Sequence, residues 1–235
     1  MTRHSISVFF PCYNEQDNVE SLVRQAWSVL NDIVDDFEII IVNDGSSDNT
    51  KEIADKLVRD LSNVKAVHHT QNTGYGGALQ SGFKNATKEL VFYTDGDKQF
   101  DIGELKDIIH LIDKCDIVSC YRISRQDRIL RKLNAWAWNK LVCFLFKLKI
   151  KDIDCAFKLY KRKIFDDIII LSSGALVDTE ILARAVAKGY TIKQVGVRHF
   201  PRTAGKSTGA NPLVILKAFK ELLKLRNNII SSGKN

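Results

Sequence analysis

The chain has 235 residues, 45% of them hydrophobic, which is enough to bury the core of one large α/β domain. Its formal net charge of +7 indicates an anionic partner, such as a phosphorylated substrate, a membrane surface or a nucleic acid. The five cysteines have no C-x-x-C pair and no framework spacing, so we expect reduced thiols and a cytoplasmic protein. The first residues lack the apolar region of a signal peptide, and no apolar stretch is long enough to cross a bilayer, which argues against secretion and a transmembrane segment.

Strands and helices alternate in the first half of the predicted structure. Apolar runs predict strands at residues 5–10, 37–42, 64–68 and 90–94, and helical spacing predicts helices at 15–30, about 53–61 and 76–87. Pro11 is expected to end the first strand. The second strand, FEIIIV, is almost continuously apolar, as expected of a strand covered on both faces. The alternation predicts an α/β fold with a mostly parallel sheet and helices on both faces.

The second half is less regular. Strands are predicted at 116–119, 156–160 and 191–197, and helices at 128–148 and 179–188, the latter ended by Gly189. A basic amphipathic helix is predicted at 212–226. We therefore expect one domain at 1–209, followed by a C-terminal amphipathic helix and tail at 210–235.

Three polar clusters follow three of the predicted parallel strands. They are residues 11–15 (PCYNE), 43–48 (NDGSSD) and 94–99 (TDGDKQ). Each cluster alone is compatible with a turn and a helix cap. Because ligands of open α/β sheets bind at the carboxyl ends of the strands, the coincidence of three clusters predicts a binding site at this edge.

Asp95 and Asp97 are two residues apart at the end of a predicted strand, so both carboxylates can project to the same side, and Gly96 lets the backbone bend beneath them. Two such charges are best tolerated around a hard divalent cation, for which magnesium or manganese is suited, and the cation can bind the diphosphate of a nucleotide. Gln99 could add a neutral oxygen ligand. His199 is left out of the metal set, since a lone histidine beside a strand is more often a local hydrogen-bonding residue.

Gly74-Tyr75-Gly76-Gly77 lacks the G-x-G-x-x-G spacing and follows the third strand, so a nicotinamide cofactor is rejected. These glycines are expected to let a loop and a helix start pack closely beside a nucleotide.

The ordered motifs of the chain resemble those of family 2 glycosyltransferases, and most closely those of the dolichyl- or polyprenyl-phosphate sugar synthases. The matching segments are residues 10–15, 42–50, 72–82, 95–99, 120–122, 154–160 (DCAFKLY) and 200–207 (FPRTAGKS). Together they span residues 5 to about 208. The resemblance implies the glycosyltransferase A fold, a nucleotide-sugar donor such as GDP-mannose or UDP-hexose, a divalent metal, and a polyprenyl or dolichyl phosphate as acceptor.

The resemblance also implies roles for individual residues. The implied donor contacts are Pro11, Tyr13, Glu15, Asp44, Gly76, Asp95 and Lys206; the implied metal ligands are Asp97 and Gln99, with Asp95 beside them facing the nucleotide; and the implied phosphate-binding arginines are Arg122, Arg131 and Arg202. Asn43, Ala156 and Thr208 depart from the family pattern, and Lys206 could supply the charge that a lysine at position 208 would carry.

The implied mechanism is a single in-line displacement at the anomeric carbon with inversion of configuration. A hydroxyl acceptor, on a saccharide or a protein, would need a general base, for which Asp178 and Glu180 are candidates; their alternative role is to complement a helix N-terminus. A lipid phosphate is already ionised and needs no base.

Residues 133–148 and 213–230 combine apolar and aromatic side chains with lysines, as interfacial helices do. Packing on the core or on a second subunit is the alternative for each segment. With the resemblance, the pattern favours a peripheral protein on the cytoplasmic face of a membrane, with a separate membrane-anchored partner or a homo-oligomer as alternatives. No nucleic-acid partner is expected, and a nucleic-acid-binding module is kept as a remote alternative function, because the basic residues are dispersed and the acidic turns would repel phosphate unless a metal intervened.

Overall fold

Seven strands form one mixed sheet in a computed structural model, which describes residues 4–123, 129–201 and 221–229, except for the side chains of 129–133. The strands are β1 (Ile6–Cys12), β2 (Phe37–Asn43), β3 (Val64–His68), β4 (Leu90–Thr94), β5 (Ile117–Ile123), β6 (Phe157–Lys161) and β7 (Ile192–Arg198). Their spatial order is β3-β2-β1-β4-β6-β5-β7.

The direction of β6 decides which strand ends share an edge of the sheet. β1 pairs in parallel with β2 and β4, and β2 pairs in parallel with β3. β6 is antiparallel to both β4 and β5, so those two strands run in the same direction, and β7 is parallel to β5. The carboxyl ends of β1, β2, β4 and β5 therefore meet at one edge, together with the amino end of β6. This edge is called the carboxyl edge below.

Helices connect the strands and bury the sheet. They are α1 (Val19–Ile33), α2 (Thr50–Asp60), α3 (Tyr75–Asn85), α4 (Leu105–Ile108), α5 (Ile129–Phe146), α6 (Ile164–Asp167), α7 (Val177–Ala187) and α8 (221–229), with 3₁₀ turns at Ile102–Glu104 and Ile109–Lys114. All seven residues of β2 are buried, as expected of a strand covered on both faces. α3 lies close to β1 because Gly82 has no side chain: a Cβ there would stand 2.2 Å from the ring of Phe9.

The predicted α/β fold with a mostly parallel sheet is confirmed, and the predicted strands, together with the long helices predicted within residues 4–123 and 129–201, are present with small shifts of their ends. The prediction that Pro11 ends the first strand is wrong, since β1 continues to Cys12. Pro11 lies beyond the ladder to β4, which covers Ile6–Phe9, so one missing main-chain donor is tolerated there. The antiparallel direction of β6, the short helices between β4 and β5, and α6 were not predicted.

The C-terminal helix is described only over 221–229, where it packs on the core. Leu222 and Leu225 are buried, whereas Leu223 is exposed. For this part of the predicted segment 213–230, Leu222 and Leu225 pack on the core, and the interfacial role predicted for the whole segment stays a prediction. Residues 212–220 and the predicted boundary at 209/210 lie outside the described residues. Within the described ranges, no helix is both long enough and apolar enough to cross a bilayer.

Candidate active site

The turn Asp95-Gly96-Asp97 follows β4 and is packed against the end of β1. Asp97 is buried, and its Oδ1 accepts a hydrogen bond from the main-chain N–H of Gln99 at 3.1 Å. A Cβ at Gly96 would lie 2.9 Å from Sγ of Cys12, so glycine is required there for close approach. The sequence predicts a backbone bend at Gly96. The left-handed conformation belongs instead to Lys98, the residue after Asp97, whose φ is 59°.

Asp95, in the same turn, is half-buried. The hydroxyl of Tyr75 donates a hydrogen bond to Oδ1 of Asp95 at 3.0 Å. Burial and, next, the negative charge of Asp97 raise the pKa of Asp95 to about 7, against the lowering effect of the Tyr75 hydrogen bond. Two carboxylates in this position favour a neighbouring cation, and their oxygens are the ligands that Mg²⁺ and Mn²⁺ prefer. In the described part of the chain no group of three or more His, Cys, Asp or Glu side chains could hold a metal by itself. The carboxylates of Asp95 and Asp97 are oxygen donors, so the residues of this turn fit a hard divalent cation.

Gln99 joins this turn to the stretch that begins at Phe200. The side-chain Nε2 of Gln99 donates to the main-chain carbonyl of Phe200 at 3.1 Å. The main-chain carbonyl of Gln99 accepts from the N–H of Phe200 at 2.8 Å. His199 packs the edge of its ring against Phe100, with the ring centroids 5.2 Å apart. Arg202 and Lys206 follow directly in sequence but lie outside the described residues, as does the side chain of Arg131.

The clusters after β1 and β2 are joined by hydrogen bonds between their loops. The N–H of Asn14 donates to Ser46 Oγ at 2.9 Å, and Asn14 Oδ1 accepts from the N–H of Ser47 at 2.9 Å. Tyr13, one residue earlier, leaves 48% of its surface exposed at the carboxyl edge. An exposed aromatic ring here suits the predicted contact with a nucleotide base.

Two further residues of the first cluster were predicted as donor contacts. Pro11 is half-buried at the end of β1. Glu15 begins the loop into α1, where its Oε2 accepts from Asn18 Nδ2 at 2.6 Å and its N–H donates to Thr50 Oγ1 at 2.9 Å. Both residues lie at the carboxyl edge, and their donor contacts stay predictions.

Asp44 makes hydrogen bonds to the loop that precedes α3, and its predicted donor contact stays a prediction. It is buried, and its Oδ1 accepts from His69 Nδ1 at 2.6 Å and from the N–H of Thr73 at 2.8 Å, while its Oδ2 accepts from the N–H of Gly74 at 2.9 Å. Because both oxygens are engaged by the loop that precedes α3, Asp44 holds this loop.

Gly76 packs closely against the main chain of Ser173. Its N–H donates to the carbonyl of Ser173 at 3.1 Å, and a Cβ at Gly76 would stand 2.5 Å from the carbonyl carbon of Ser173. The glycine therefore allows residues 171–173 to pack on the start of α3. The predicted close packing of this glycine-rich loop is correct, and the donor contact predicted for Gly76 stays a prediction.

The two candidate bases occupy the first turn of α7. Glu180 is fully buried; its Oε2 accepts from the N–H groups of Leu171 and Ser172 at 3.0 and 2.7 Å, and its Oε1 accepts from Arg184 Nε at 2.8 Å. The carboxylate of Glu180 is enclosed and both of its oxygens accept hydrogen bonds. The prediction that Glu180 is a general base is therefore wrong.

Asp178, the other candidate, is buried beneath the site. Its Oδ1 accepts from Lys158 Nζ at 2.8 Å and from the hydroxyl of Tyr93. The Lys158 ammonium is fully buried and also donates to the carbonyl of Cys155 at 2.6 Å. Asp178 is thus one partner of a buried ion pair, which compensates the desolvation of both charges.

Arg122 lies near the end of β5 at the carboxyl edge, as expected of a phosphate-binding arginine. It forms a bidentate pair with Asp152, through Nε and Nη2, both at 2.7 Å. Burial opposes its charge, but the Asp152 hydrogen bonds outweigh burial and raise the pKa of Arg122. A pocket of about 230 Å³ opens here, lined by Tyr121, Arg122, Ala135, Trp136, Asn139, Lys151 and Asp152.

Asp154 is a further candidate for the site, for which no role was predicted from the sequence. It reaches solvent at the amino end of β6, yet burial of its carboxylate and then the charges of Asp178 and Asp152 raise its pKa to about 6. It opens the segment DCAFKLY, which the motif comparison singled out without assigning it a role. Only the antiparallel direction of β6 brings it to the carboxyl edge, and the sequence did not predict that direction.

Comparison with known proteins gives several matches to this arrangement. Residues 7–169 match the model of the family described as Glycosyl transferase family 2. The chain is 28% identical over 208 residues to Glycosyltransferase AglD of Haloferax volcanii, covering 84% of this chain and 33% of that protein. It is also 28% identical over 204 residues to the undecaprenyl-phosphate 4-deoxy-4-formamido-L-arabinose transferase of Yersinia pestis, covering 86% of this chain and 62% of that protein. The chain therefore spans less than two thirds of the length of these relatives.

Solved structures share the fold. A glucosyl-3-phosphoglycerate synthase from Mycobacterium tuberculosis in complex with UDP superposes with a TM-score of 0.73 at 19% identity, covering 95% of this chain and 80% of that chain. The same enzyme with Mn²⁺, UDP-glucose and phosphoglyceric acid gives 0.73 at 18% identity, with the same coverage. The fold predicted from the motifs is therefore confirmed. Since the family model covers most of the sheet and the clusters at its carboxyl edge, this chain belongs to glycosyl transferase family 2.

Proposed function

We propose that the protein is an inverting, metal-dependent glycosyltransferase that moves a sugar from a nucleotide donor to a polyprenyl phosphate at a membrane surface. The observation that carries the proposal is the turn Asp95-Gly96-Asp97. Its two carboxylates lie at the carboxyl edge between the ends of β1 and β6, and the pKa of Asp95 is raised to about 7 by burial and by Asp97.

The donor side of the site would use the cluster residues. Asp97 and Gln99, with Asp95 beside them, would hold Mg²⁺ or Mn²⁺, and the ring of Tyr13 would lie against the base, next to Pro11 and Glu15. A bound cation would supply positive charge to the departing nucleoside diphosphate. The Mycobacterium tuberculosis synthase of the same fold was solved with Mn²⁺ and UDP-glucose, which supports this donor and metal class.

The acceptor side would use the pocket beside Arg122. Its two cations, Arg122 and Lys151, outnumber its one anion, Asp152, which suits a phosphate group, and its exposed Trp136 suits an apolar chain attached to that phosphate. An ionised phosphate oxygen can attack without a base, which fits a site where Glu180 is engaged by Leu171 and Ser172. Arg131, Arg202 and Lys206 stay proposals from the motif resemblance, and the name of the Yersinia relative supports the acceptor class.

The membrane contact is assigned to one face of α5. Trp136 is 60% exposed and Phe144 is 81% exposed, with Lys140 on the same face. Aromatic rings alternating with lysines suit the interface of an anionic bilayer. A peripheral position would bring the pocket beside Trp136 close to a lipid phosphate.

A hydroxyl acceptor is the second candidate. Asp154 favours it, because this residue reaches solvent at the carboxyl edge and its carboxyl group, with a pKa raised to about 6, suits a general base near neutral pH. The donor would be the same, and only the acceptor would differ.

The decisive experiment is a donor screen with Mn²⁺ or Mg²⁺ and radiolabelled GDP-mannose, UDP-glucose and other nucleotide sugars. Parallel reactions contain polyprenyl phosphate, free saccharides or a protein acceptor. Labelled lipid that requires both metal and polyprenyl phosphate supports the proposal, and label in a saccharide or protein favours the second candidate. No transfer from any donor to any acceptor would contradict both.

A further inference from the structure

Tyr75 touches the acidic turn although neither the composition nor the motifs gave it a role. It is the first residue of α3, and its hydroxyl donates to Oδ1 of Asp95 at 3.0 Å. The residue is 37% exposed, so it lies at the open edge of the site and not in the core. A hydrogen bond from a fixed phenol restricts the rotation of the Asp95 carboxylate.

The main chain before Tyr75 is held by Asp44. The carboxylate accepts from the N–H and hydroxyl of Thr73, at 2.8 and 2.6 Å, and from the N–H of Gly74 at 2.9 Å. Gly74 has φ +84°, a left-handed conformation that turns the chain into α3. Tyr75 therefore starts from a backbone position that a buried carboxylate fixes.

The main chain after Tyr75 is held by Glu180. The N–H of Gly76 donates to the carbonyl of Ser173 at 3.1 Å, so residues 171–173 form a strap over the start of α3. The strap is in turn held by Glu180, whose Oε2 accepts from the N–H groups of Leu171 and Ser172. Two buried carboxylates from different parts of the chain thus support Tyr75 from its two sides.

We propose that Tyr75 is a positioning residue of the donor site, which Asp44 and Glu180 hold from both sides so that its hydroxyl orients Asp95. This inference rests on the proposed function, since it assigns the orientation of Asp95 to the binding of metal and nucleotide. Asp44 and Glu180 act on the site through Tyr75, and neither needs to touch the donor. An oriented carboxylate loses less freedom when a ligand binds, which increases affinity.

The test removes only the hydroxyl, in the Tyr75→Phe variant. Binding of Mn²⁺ with UDP or GDP is measured by calorimetry, and donor KM and kcat are measured in the transfer assay. We expect the dissociation constant and the donor KM to rise about tenfold, while kcat stays within about threefold. Tyr190→Phe is the matched control, since its hydroxyl donates to Asp167 at the opposite edge of the sheet. It should change none of these quantities.

A double-mutant cycle tests the support from Glu180. As a single variant, Glu180→Gln should weaken binding of the metal–nucleotide pair. In the Tyr75→Phe background it should cause little further loss of affinity, because both substitutions act through one hydrogen bond. Full additivity would overturn the link to Glu180. If Glu180→Gln does not fold, Tyr75→Phe still decides the main claim.

The outcomes separate the inference from the proposed function. If wild-type protein binds metal and nucleotide and Tyr75→Phe binds them equally well with the same donor KM, the Tyr75 assignment is overturned while the proposed function stands. Binding without transfer by the wild type would contradict the proposed function, and the calorimetric comparison would still decide the role of Tyr75. A wild type that binds neither metal nor nucleotide contradicts both.

Discussion

Asp97 combines burial with a position at the end of β4, where its Oδ1 already accepts from the N–H of Gln99. Replacing it with asparagine keeps the shape and this acceptor but removes one negative charge from the predicted metal site. We expect Asp97→Asn to lower kcat/KM by roughly 10²–10³, because charge stabilisation of the leaving group is lost. The measurement is the transfer assay at saturating Mn²⁺, alongside thermal unfolding.

The control for Asp97→Asn is Asp107→Asn, which makes the same change at an exposed position of α4. It should retain wild-type kcat/KM. Equal activity of the two variants would rule out Asp97 as a metal ligand.

Glu38 provides a test of stability far from the site. Burial opposes its ionisation, but Lys65 and hydrogen bonds from Ser7 and Thr87 outweigh burial and lower its pKa to about 2. A depressed pKa in the folded state stabilises the protein above the unfolded pKa of 4.5, and this contribution is lost as the pH falls toward 2. Urea unfolding should show Glu38→Gln less stable than wild type by roughly 2–3 kcal/mol at pH 6.

The difference between Glu38→Gln and wild type should shrink steadily between about pH 4.5 and pH 2. Lys65→Met, which removes the partner but leaves Glu38, should raise the Glu38 pKa and move this loss to higher pH. A difference that is constant from pH 6 to pH 3 would contradict the assigned ion pair.

At this scale the sequence predicts which residues lie together but not which atoms they use. Asp44, Asp95 and Asp97 lie at one edge, as expected because the carboxyl ends of parallel strands meet at the same edge of a sheet. Yet the engagement of Asp44 by Thr73 and Gly74 depends on the path of a loop almost thirty residues later. A motif identifies an acidic residue and cannot distinguish a ligand from a support, since both need a buried carboxylate.

Among the elements, α3 and the strap 171–173 make a tight main-chain contact beside the site. A methyl group at Gly76 would stand 2.5 Å from the main chain of Ser173, which cannot yield as a flexible side chain would. We expect Gly76→Ala to destabilise the protein by about 1–3 kcal/mol and to weaken donor binding by displacing Tyr75. Denaturant unfolding and donor KM measure the two effects.

Gly174→Ala is the matched control for Gly76→Ala, because a Cβ at Gly174 would meet its nearest atom at 3.7 Å, an ordinary contact. Its stability should stay within about 0.5 kcal/mol of wild type. If Gly76→Ala behaves in the same way, the strap is not packed as described.

Periodicity predicts most elements of the sheet because burial on both faces leaves continuous apolar runs, as in β2 and β4. Periodicity does not predict strand direction, because the apolar pattern of β6 suits a parallel and an antiparallel strand equally well. The short helices between β4 and β5 are not predicted for another reason. Each is only one or two turns long, and packing determines its position more than amphipathic spacing does.

For the whole molecule, the net charge of +7 and the exposed aromatics of α5 predict binding to anionic membranes. The protein should sediment with anionic liposomes at low salt and less so at high salt, because the electrostatic part is screened. Trp136→Ala combined with Phe144→Ala should reduce the bound fraction about fivefold or more, since both rings would lose their place at the interface. Sedimentation with neutral liposomes separates the contribution of charge.

Val58→Ala controls for the loss of an exposed apolar side chain, since Val58 is 38% exposed on α2. It should sediment like wild type. A wild type that stays in solution at low salt would contradict the peripheral placement, and equal binding of the α5 double variant would move the contact elsewhere.

The antiparallel strand β6 has a consequence for how the chain can be made. Until residues 157–161 have been synthesised, β4 has β1 on one side and an open row of main-chain donors and acceptors on the other. All five residues of β4 are buried in the finished protein, so this open side is an apolar template for pairing with another chain. Fragments that end before β6 should aggregate even though they contain every acidic turn, and a nascent chain needs protection until β6 has left the ribosome.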